Sequence, residues 1–412
     1  MAFPYEPIRP RNVVMLFKAE TTAGTDASPT TADAFPFEAE GWSYNAPWAA
    51  EDSDEVTGSL VAGAPLIVGQ PAQISIDARL KGAGAGTTYS AGVKPPHHAL
   101  LQSCGWRGLF SAAVAASALT GGSTTSATLG TGYGTTAQAL RGLPLQLAGG
   151  TSGGRLVHVT DYTAGKVATL TDQFGSALNT STTAALPANW SYAPTSPASA
   201  ATRATDHPTG TLYIYEDGRL LKFVGCRGQL TLDGETARPG FSRFRLMGVF
   251  AGESAASVPS VSVAQHSPPV LAMGDAGVTP ALLVNRIELA VKRWSFGGPS
   301  AMEVRDDPNT AYGFAYPDLD VRAPMLEIDP LTTAKANIDR WNEIMLGTSM
   351  SAVIRTVGAA GNRWSLCLPL TSPVGADPDK RGIYRTDALK LRAYSPGVYP
   401  STRDNDAVLC FY

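Results

Sequence analysis

Apolar and polar residues alternate over short stretches of this chain, which is the pattern of half-buried β-strands. The segment TLYIYEDGRLLKFVGCRGQLTLD, residues 211–233, shows it best, since Leu212 and Ile214 alternate with polar and aromatic neighbours. Asp217 and Gly218 interrupt the alternation with a residue pair that favours a tight hairpin turn. The segment therefore predicts a β-hairpin followed by a third strand.

The first half predicts more strands and one helix. The strands are NVVMLFKAE (12–20), FPFEAEGWSYN (35–45) and QISIDARL (73–80). PPHHALLQSCGW predicts a helix, because Pro95 and Pro96 suit its first turn and Gly105 suits its end. Residues 46–69 form a long connection with the acidic run EDSDE and the apolar run PLIVG. Connections of this length are usually functional or disordered.

The composition then shifts to Ala, Gly, Ser and Thr over residues 111–204. Short strand-like pieces lie inside this segment, namely RGLPLQL, RLVHVTDY, KVATLT and WSYAP. Low-complexity stretches at both ends separate it from its surroundings. The segment predicts a small inserted β module.

The second half returns to strands and one helix. Strands are predicted over NRIELAVKRWSF (285–296), RAPMLEIDP (322–330), RTDALKLRAYS (385–395) and DAVLCFY (406–412), and SAVIRTVGAAGNRWSLCLPL predicts a hairpin that turns at residues 358–362. TTAKANIDRWNEIML predicts an amphipathic helix that begins at Thr332 or Thr333 and ends at Gly347. Its apolar stripe comprises Ile338, Trp341 and Met345.

Both halves therefore run strand, long loop, strand, helix, hairpin, strand. This order indicates an internal duplication with two β-sandwich or β-barrel domains, each with one helix, and an inserted module. The expected boundaries are residues 1–108 with 205–255 for the first domain, 109–204 for the outward-facing module, 256–279 for a linker and 280–412 for the second domain.

Composition narrows the classes of function. The 412 residues are 44% hydrophobic and 16% charged, with a net charge of −3. The absence of a basic bias argues against a protein that grips nucleic-acid phosphates. We expect no signal peptide and no membrane span. The four separated cysteines, Cys104, Cys226, Cys367 and Cys410, predict buried free thiols in a reducing cytoplasm.

Candidate chemistry is sparse. His97 and His98 point about 100° apart on a helix and predict a surface pair rather than a metal site. The GTSGG match at Ser152 precedes a strand, whereas a nucleophile elbow needs a helix. The acidic pair Asp306 and Asp307 lacks calcium-loop spacing. The sequence therefore predicts no enzyme activity, no cofactor and no metal.

Several segments, in order, resemble the major tail tube proteins of bacteriophages with long, non-contractile tails. The opening VVMLFKAETTAGTDASPTTADA is similar to that family's first strand and its K-x-E-T-T-x-G-T-D-x-x-P-T segment. QISIDARLKGAG with KPPHHALLQSCGW resembles its strand, Gly-rich loop and helix. LYIYEDGRLLKFVGCRGQLTLDGETARPGFSRFRLMGVF resembles its hairpin and following strand, and AAGNRWSLCLPL its G-N-R turn.

The resemblance implies a virion protein that is assembled in the host cytoplasm into stacked rings, which form the hollow tube for genome delivery. Two tube domains in one chain imply rings of three chains with pseudo-sixfold symmetry. The implied partners are further copies, tail terminator and tail tip proteins, the tape measure protein in the lumen, and genomic DNA in transit without specific binding. No membrane is implied.

The long connection is the expected ring-stacking loop, because it could order against the next ring. Its expected contact residues are Glu51, Asp52, Asp54, Glu55, Leu66, Ile67 and Val68. Other functions stay open at this point. They are a receptor-binding or carbohydrate-binding protein of the virion surface, a hexameric tube protein of a contractile tail or secretion apparatus, and a glycan-degrading enzyme that uses the acidic clusters.

Overall fold

A computed structural model gives the fold of the chain. It describes residues 8–9, 11–53, 55–56, 58, 60–61, 63–196, 202–272, 279–298, 300–310, 312–395 and 403–412. These residues form 27 strands and three short α-helices, so the expectation of a mainly β protein is confirmed.

The elements follow one another in this order. The first are β1 (Val13–Ala19), β2 (Trp42–Tyr44), β3 (Trp48–Glu51), β4 (Leu66–Gly69), β5 (Ala72–Arg79), α1 (His98–Ser103) and β6 (Trp106–Ser111). Next come β7 (Val114–Ala118), β8 (Gly121–Gly122), β9 (Ser126–Thr128), β10 (Pro144–Ala148), β11 (Leu156–Tyr162), β12 (Val167–Leu170), β13 (Thr183–Leu186) and β14 (Asn189–Pro194). They are followed by α2 (Arg203–Asp206), β15 (Gly210–Glu216), β16 (Gly218–Glu235) and β17 (Phe241–Ala256). The last are β18 (Leu282–Val284), β19 (Ile287–Glu288), β20 (Arg293–Gly297), β21 (Ser300–Asp306), β22 (Phe314–Arg322), β23 (Met325–Ile328), α3 (Arg340–Met345), β24 (Met350–Arg355), β25 (Trp364–Arg381), β26 (Tyr384–Ala393) and β27 (Val408–Phe411).

One order of strand pairing occurs twice in the large sheet. In the first unit it is β1-β15-β16-β17-β5-β2, and in the second unit it is β18-β24-β25-β26-β23-β20. Helix α1 follows β5 and helix α3 follows β23, so the helices also take equivalent places. A separate two-stranded hairpin lies between the two strands β2 and β5, and another lies between β20 and β23. We call the hairpin β3–β4 the first arm and the hairpin β21–β22 the second arm.

The repeat is visible in residues as well as in pairing. Trp42–Tyr44 reads WSY and its counterpart Trp294–Phe296 reads WSF. Trp42 lies opposite Ile76 on β5, just as Trp294 lies opposite Ile328 on β23. Two segments that differ only in Tyr44 against Phe296 thus occupy the same position, in the same register, in both units.

The two units join in a single sheet through β16 and β20. Four residue pairs, from Leu232 opposite Phe296 to Glu235 opposite Arg293, make this junction. Leu232 also lies opposite Ser242 on β17, so β20 and β17 flank β16 on opposite sides. Beneath the junction, in the apolar core, the ring centroids of Trp294 and Trp364 lie 5.6 Å apart.

The joined sheet has one apolar and one polar face, as alternation along paired strands requires. Apolar side chains from both units meet on the first face, including Ile76, Phe244, Leu232, Phe296, Leu326 and Leu391. The opposite face carries Asp77, Arg79, Arg243, Asp233, Ser295, Glu327 and Lys390. Helix α1 packs on the apolar face through Leu100 and Leu101.

A second sheet forms the inserted module. Its order is β7-β13-β10-β11-β12-β9-β8, and its own core includes Leu145, Val157 and Leu170. The following strand, β14, lies instead in the large sheet between β6 and β27. The module is fastened to the second unit by an ion pair, since Arg355 Nη2 lies 2.8 Å from Asp172 Oδ1 with both side chains buried.

Three predicted strands differ in the structure. The third strand of residues 211–233 is absent, because β16 runs on as one strand past a bulge at Gly225, whose φ is +65°. The strand predicted over 285–296 begins instead with a turn, because Asn285 and Arg286 adopt positive φ. Of the strand predicted over 35–45, only Trp42–Tyr44 forms.

The second helix begins later than predicted. Helix α3 starts after Asp339, whose carboxylate accepts a hydrogen bond from Asn342 N at 3.2 Å. An aspartate that caps in this way holds its own backbone outside the helix. Helix α1 also begins later than predicted, at His98 rather than in the turn with Pro95 and Pro96, but its end before Gly105 agrees with the prediction.

The prediction of a surface histidine pair is wrong. His97 is buried, and its Nε2 lies 2.8 Å from the Pro36 carbonyl oxygen. His98 is half-buried, with Nδ1 2.7 Å from the Tyr192 hydroxyl. Because both rings find local partners, they are part of the packing around α1. The four cysteines are buried free thiols, as predicted.

Burial makes His97 a source of acid sensitivity. Burial lowers the pKa of His97 from 6.5 to about 4. As the pH falls, the unfolded chain therefore binds a proton at His97 before the folded chain does. The free energy of unfolding is thus undiminished above pH 6.5 and decreases as the pH falls towards 4. His97→Gln keeps a donor for Pro36 and removes the titration. We expect urea unfolding of the variant between pH 7 and 4 to show a slope shallower by up to about 1.4 kcal/mol per pH unit. An unchanged slope would contradict this assignment.

The ion pair beneath the module predicts a large stability effect. Asp172→Asn leaves the Arg355 guanidinium buried without its counter-charge, which costs about 3–5 kcal/mol. Glu235→Gln is the matched control, since its partner Arg238 is largely exposed and the pair contributes about 0–1 kcal/mol. Urea unfolding of both variants checks this. A loss below 1 kcal/mol for Asp172→Asn would show that the pair does not hold the module.

Candidate assembly surfaces

The outer edge of β2 is open in the described part of the chain. Asn45, just after β2, donates its N–H to the Gln73 carbonyl at 3.1 Å. Because bonding direction alternates along an antiparallel strand, Trp42 and Tyr44 direct their backbone N–H and C=O groups away from β5. An open row of backbone groups is a template for pairing with another chain.

The matching residues of the second unit already use these groups. The backbone carbonyl of Lys292, the residue directly before β20, accepts a hydrogen bond from Thr236 N at 2.9 Å. By the same alternation, Trp294 and Phe296 bond to β16 across the junction. The first unit therefore presents an unpaired copy of the strand that joins the units.

The matching partner edge is also open. On the side of β25 that faces β24, pairing ends at Thr371, and beyond it no described strand follows on that side. The backbone N–H of Asp387 on β26 donates to the Pro330 carbonyl at 3.0 Å, on the side away from β25. By the alternation of bonding directions, its partner Pro378 on β25 directs its backbone groups to the open edge, as do Ala376 and Lys380. Pro378 lacks an N–H and occupies the position that edge strands permit. Two backbone N–H groups thus point to the open edge, those of Ala376 and Lys380, and the N–H of Lys380 donates to the neighbouring Asp379 Oδ1 at 2.7 Å.

The first arm exposes apolar side chains. Trp48, Ala50 and Ile67 lie on one of its faces, because Ala50 is opposite Ile67 and two residues from Trp48. Trp48 is 51% exposed and Ile67 is 63% exposed. Leu66 lies on the opposite face and is 61% exposed. Such a cluster on a hairpin marks an interaction surface.

The second arm packs against the first unit of its own chain. The bulge of β16 brings Gly225 so close that an added Cβ would lie 2.7 Å from Cβ of Tyr316. Arg227 donates to the Pro317 carbonyl at 3.1 Å, and its guanidinium lies 5.4 Å from the centre of the Tyr316 ring. At Gly105, directly after α1, an added Cβ would lie 2.8 Å from Leu319. The second arm thus covers the end of α1 and the bulge.

The same place in the second unit is uncovered. Gly347 follows α3 with a φ of +58°, as Gly105 follows α1 with a φ of +76°. An added Cβ on Gly347 would meet no described atom within 4 Å. Around it Trp341, Met345 and Leu346 are 70%, 84% and 71% exposed. Of the predicted apolar stripe, Trp341 and Met345 therefore face outwards, whereas Ile338 precedes the helix and is half-buried.

The polar face of the large sheet pairs its charges. Arg243 lies between two carboxylates, with Nε 2.6 Å from Asp233 and Nη1 2.6 Å from Asp77. Its hydrogen bond to Asp233 raises the pKa of Arg243 above its usual value. Arg245 also donates to Asp77, at 2.9 Å. Guanidinium groups that hold carboxylates are less available to phosphates.

The structure places the expected stacking residues on the first arm. Glu51 lies on β3, and Leu66, Ile67 and Val68 lie on β4. Asp52 and Glu55 are exposed in the connection between the strands. Asp54 lies outside the described residues. The structure thus defines both strands of the arm. It places Leu66 and Val68 on one face of the arm and Ile67 on the other.

Other candidate chemistry is not brought into a site. Asp306 ends β21, and Asp307 accepts a hydrogen bond from Asn309 N at 2.9 Å in the arm's turn. Ser152 donates to the Gly149 carbonyl at 2.7 Å. Within the described ranges, no group of three or more His, Cys, Asp or Glu side chains could hold a metal ion. No helix there is long and apolar enough to cross a bilayer.

Comparison with known proteins gives no relative. No protein-family model matches the chain, and no curated protein is significantly similar to it.

The exposed fractions of two isoleucines predict a small effect on stability for one substitution and a large loss for the other. Ile67 on the first arm is 63% exposed, whereas Ile76 on β5 is fully buried. Ile67→Ala should change the free energy of unfolding of the isolated chain by less than about 0.5 kcal/mol. Ile76→Ala should cost about 2–5 kcal/mol. Urea unfolding at low protein concentration tests both, and a large loss for Ile67→Ala would show that the arm is packed in the single chain.

Proposed function

We propose that this chain is a structural virion protein that assembles into stacked rings and so forms the hollow tail tube of a bacteriophage. One observation carries the proposal. The two units are joined once inside the chain, by the ladder between β16 and β20. The two strand edges that would form an equivalent ladder with another copy are both unpaired in the described residues. These edges are β2 of the first unit and the outer part of β25 of the second unit.

Pairing these edges between copies makes a head-to-tail contact. A contact of this kind repeats around an axis and closes into a ring when the rotation permits it. Since each chain supplies two equivalent units, a ring of three chains contains six units. The two units are then tandem tail-tube domains in a pseudo-sixfold ring, and each ring is a continuous sheet without free edges.

In such a ring the polar face of the sheet is the wall of the conduit. The apolar face is already covered by α1 and by β6, β14 and β27, whose Trp106, Tyr192 and Phe411 lie in the same core, so the charged face is the one left for water. Its arginines are held by Asp77 and Asp233, which favours passage of DNA over binding. The inserted module, which is attached at β24 rather than at the strands of the charged face, projects outwards.

The remaining elements of the proposal follow the resemblance. The chain is made in the host cytoplasm and functions in the phage tail, with tail terminator and tail tip proteins at the ends of the tube. The tape measure protein occupies the lumen during assembly, and genomic DNA passes later. The proposed role is structural rather than enzymatic and requires no cofactor.

The open edge of β25 provides the test. Lys380→Pro removes one of the two N–H groups that point to this edge, which would exchange Asp379 for the neighbouring copy on assembly, and its matched control Lys380→Ala keeps that group. Pro378→Ala adds a donor. Each hydrogen bond contributes about 0.5–1.5 kcal/mol, or roughly a two- to tenfold change in the association constant. Lys380→Pro should weaken assembly and Pro378→Ala should strengthen it.

Sedimentation and electron microscopy over a range of protein concentration measure the effect. Unchanged melting temperatures of the isolated chains show that each variant folds. If Lys380→Pro and Lys380→Ala assemble alike, the edge of β25 is not the contact. If the wild-type chain stays monomeric at all concentrations and salt conditions, also when seeded with tail tips, the tube function is wrong, and a surface-binding protein becomes the better hypothesis.

A further inference from the structure

We infer that the first arm of one copy docks on the α3 end of the second unit of the neighbouring copy in the same ring. This inference rests on the proposed function and adds to it a second contact and its location. Its occupant is a second copy of this chain, and its basis is the internal repeat.

The second arm supplies the template. It leaves the second unit between β20 and β23 and covers the first unit at Gly105 and at the β16 bulge. It therefore bridges the same two units that the β16–β20 ladder joins. The arm and the ladder act together at one joint.

The first arm leaves the first unit at the equivalent point, between β2 and β5. In the single chain its apolar face of Trp48, Ala50 and Ile67 is exposed. If β2 pairs with β25 of a neighbour, the repeat directs this arm towards Gly347 of that neighbour, as the second arm is directed towards Gly105.

The target surface matches the arm in chemistry. Trp341 and Met345 lie one helical turn apart on the outer side of α3, and Leu346 follows them. The bulge of β25 near Val374, which is 49% exposed, corresponds to the bulge that the second arm covers on β16. Two apolar surfaces, each exposed in one chain, would be buried against each other.

The acidic connection at the tip of the arm is not part of this contact. Glu51 and Asp52 mark the start of this connection, which also exposes Val56, Leu60 and Val61. The inferred contact involves only the strands, so it assigns Ile67 to a contact within the ring rather than to ring stacking. The tip is then the part that reaches another ring.

Cysteine cross-linking separates contacts within a ring from contacts between rings. The double variant Ile67→Cys with Met345→Cys is assembled and treated with a short bismaleimide, then analysed on a denaturing gel. The four native cysteines are buried and do not compete. Links within a ring close after three chains, so the product should stop at the covalent trimer. Links between rings would instead give an open-ended ladder.

Single variants are the controls, and they should give no trimer. In a second readout, the Met345→Cys variant should react with a maleimide at least tenfold more slowly in tubes than in monomers. A ladder beyond the trimer, or rings that form with no cross-link and no protection, would overturn the docking and leave the tube function standing. Failure of the wild-type chain to form rings would overturn both.

Discussion

The short ladder between β16 and β20 is the contact on which the rest of this structure depends. It turns two units with the same strand order into one sheet with a shared apolar face. It does so with four residue pairs, supported by aromatic side chains such as Trp294 beneath them. A joint made from a strand edge can be repeated, because every copy of the unit carries the same two edges. Because the chain has two units, it pairs one set of these edges, β16 with β20. It leaves the equivalent edges of β2 and β25 unpaired in the described residues.

The same constraint accounts for the distribution of polarity. Alternation along β5, β17, β16, β20, β23 and β26 leaves a charged face that water or a conduit can occupy, and ion pairs such as Arg243 with Asp77 reduce its attraction for phosphates. The inserted module has its own core, and a buried pair of Arg355 and Asp172 fixes it to the second unit. The module is thus attached at β24, which is not one of the strands that carry the charged face.

Much of the fold can be predicted from local patterns, and some cannot for definable reasons. The strand over residues 73–80 and the helix before Gly105 follow alternation and punctuation in the sequence. The bulge at Gly225 depends on a tertiary contact, so a single long strand reads as two. His97 reads as a surface residue because nothing local shows that the Pro36 carbonyl will meet it. For the candidate surfaces, the repeat of WSY in WSF was available in the sequence, but only the strand pairing shows that one copy is bonded and the other is open.

The most direct test of the central claim is a reconstruction of the assembled protein by electron cryomicroscopy at a resolution that traces strands. The account predicts closed rings of three chains in which β2 of each copy lies beside the outer part of β25 of the next, at the position equivalent to β20 beside β16. Rings of six chains, or trimers held by other surfaces with β2 and β25 still exposed, would contradict it.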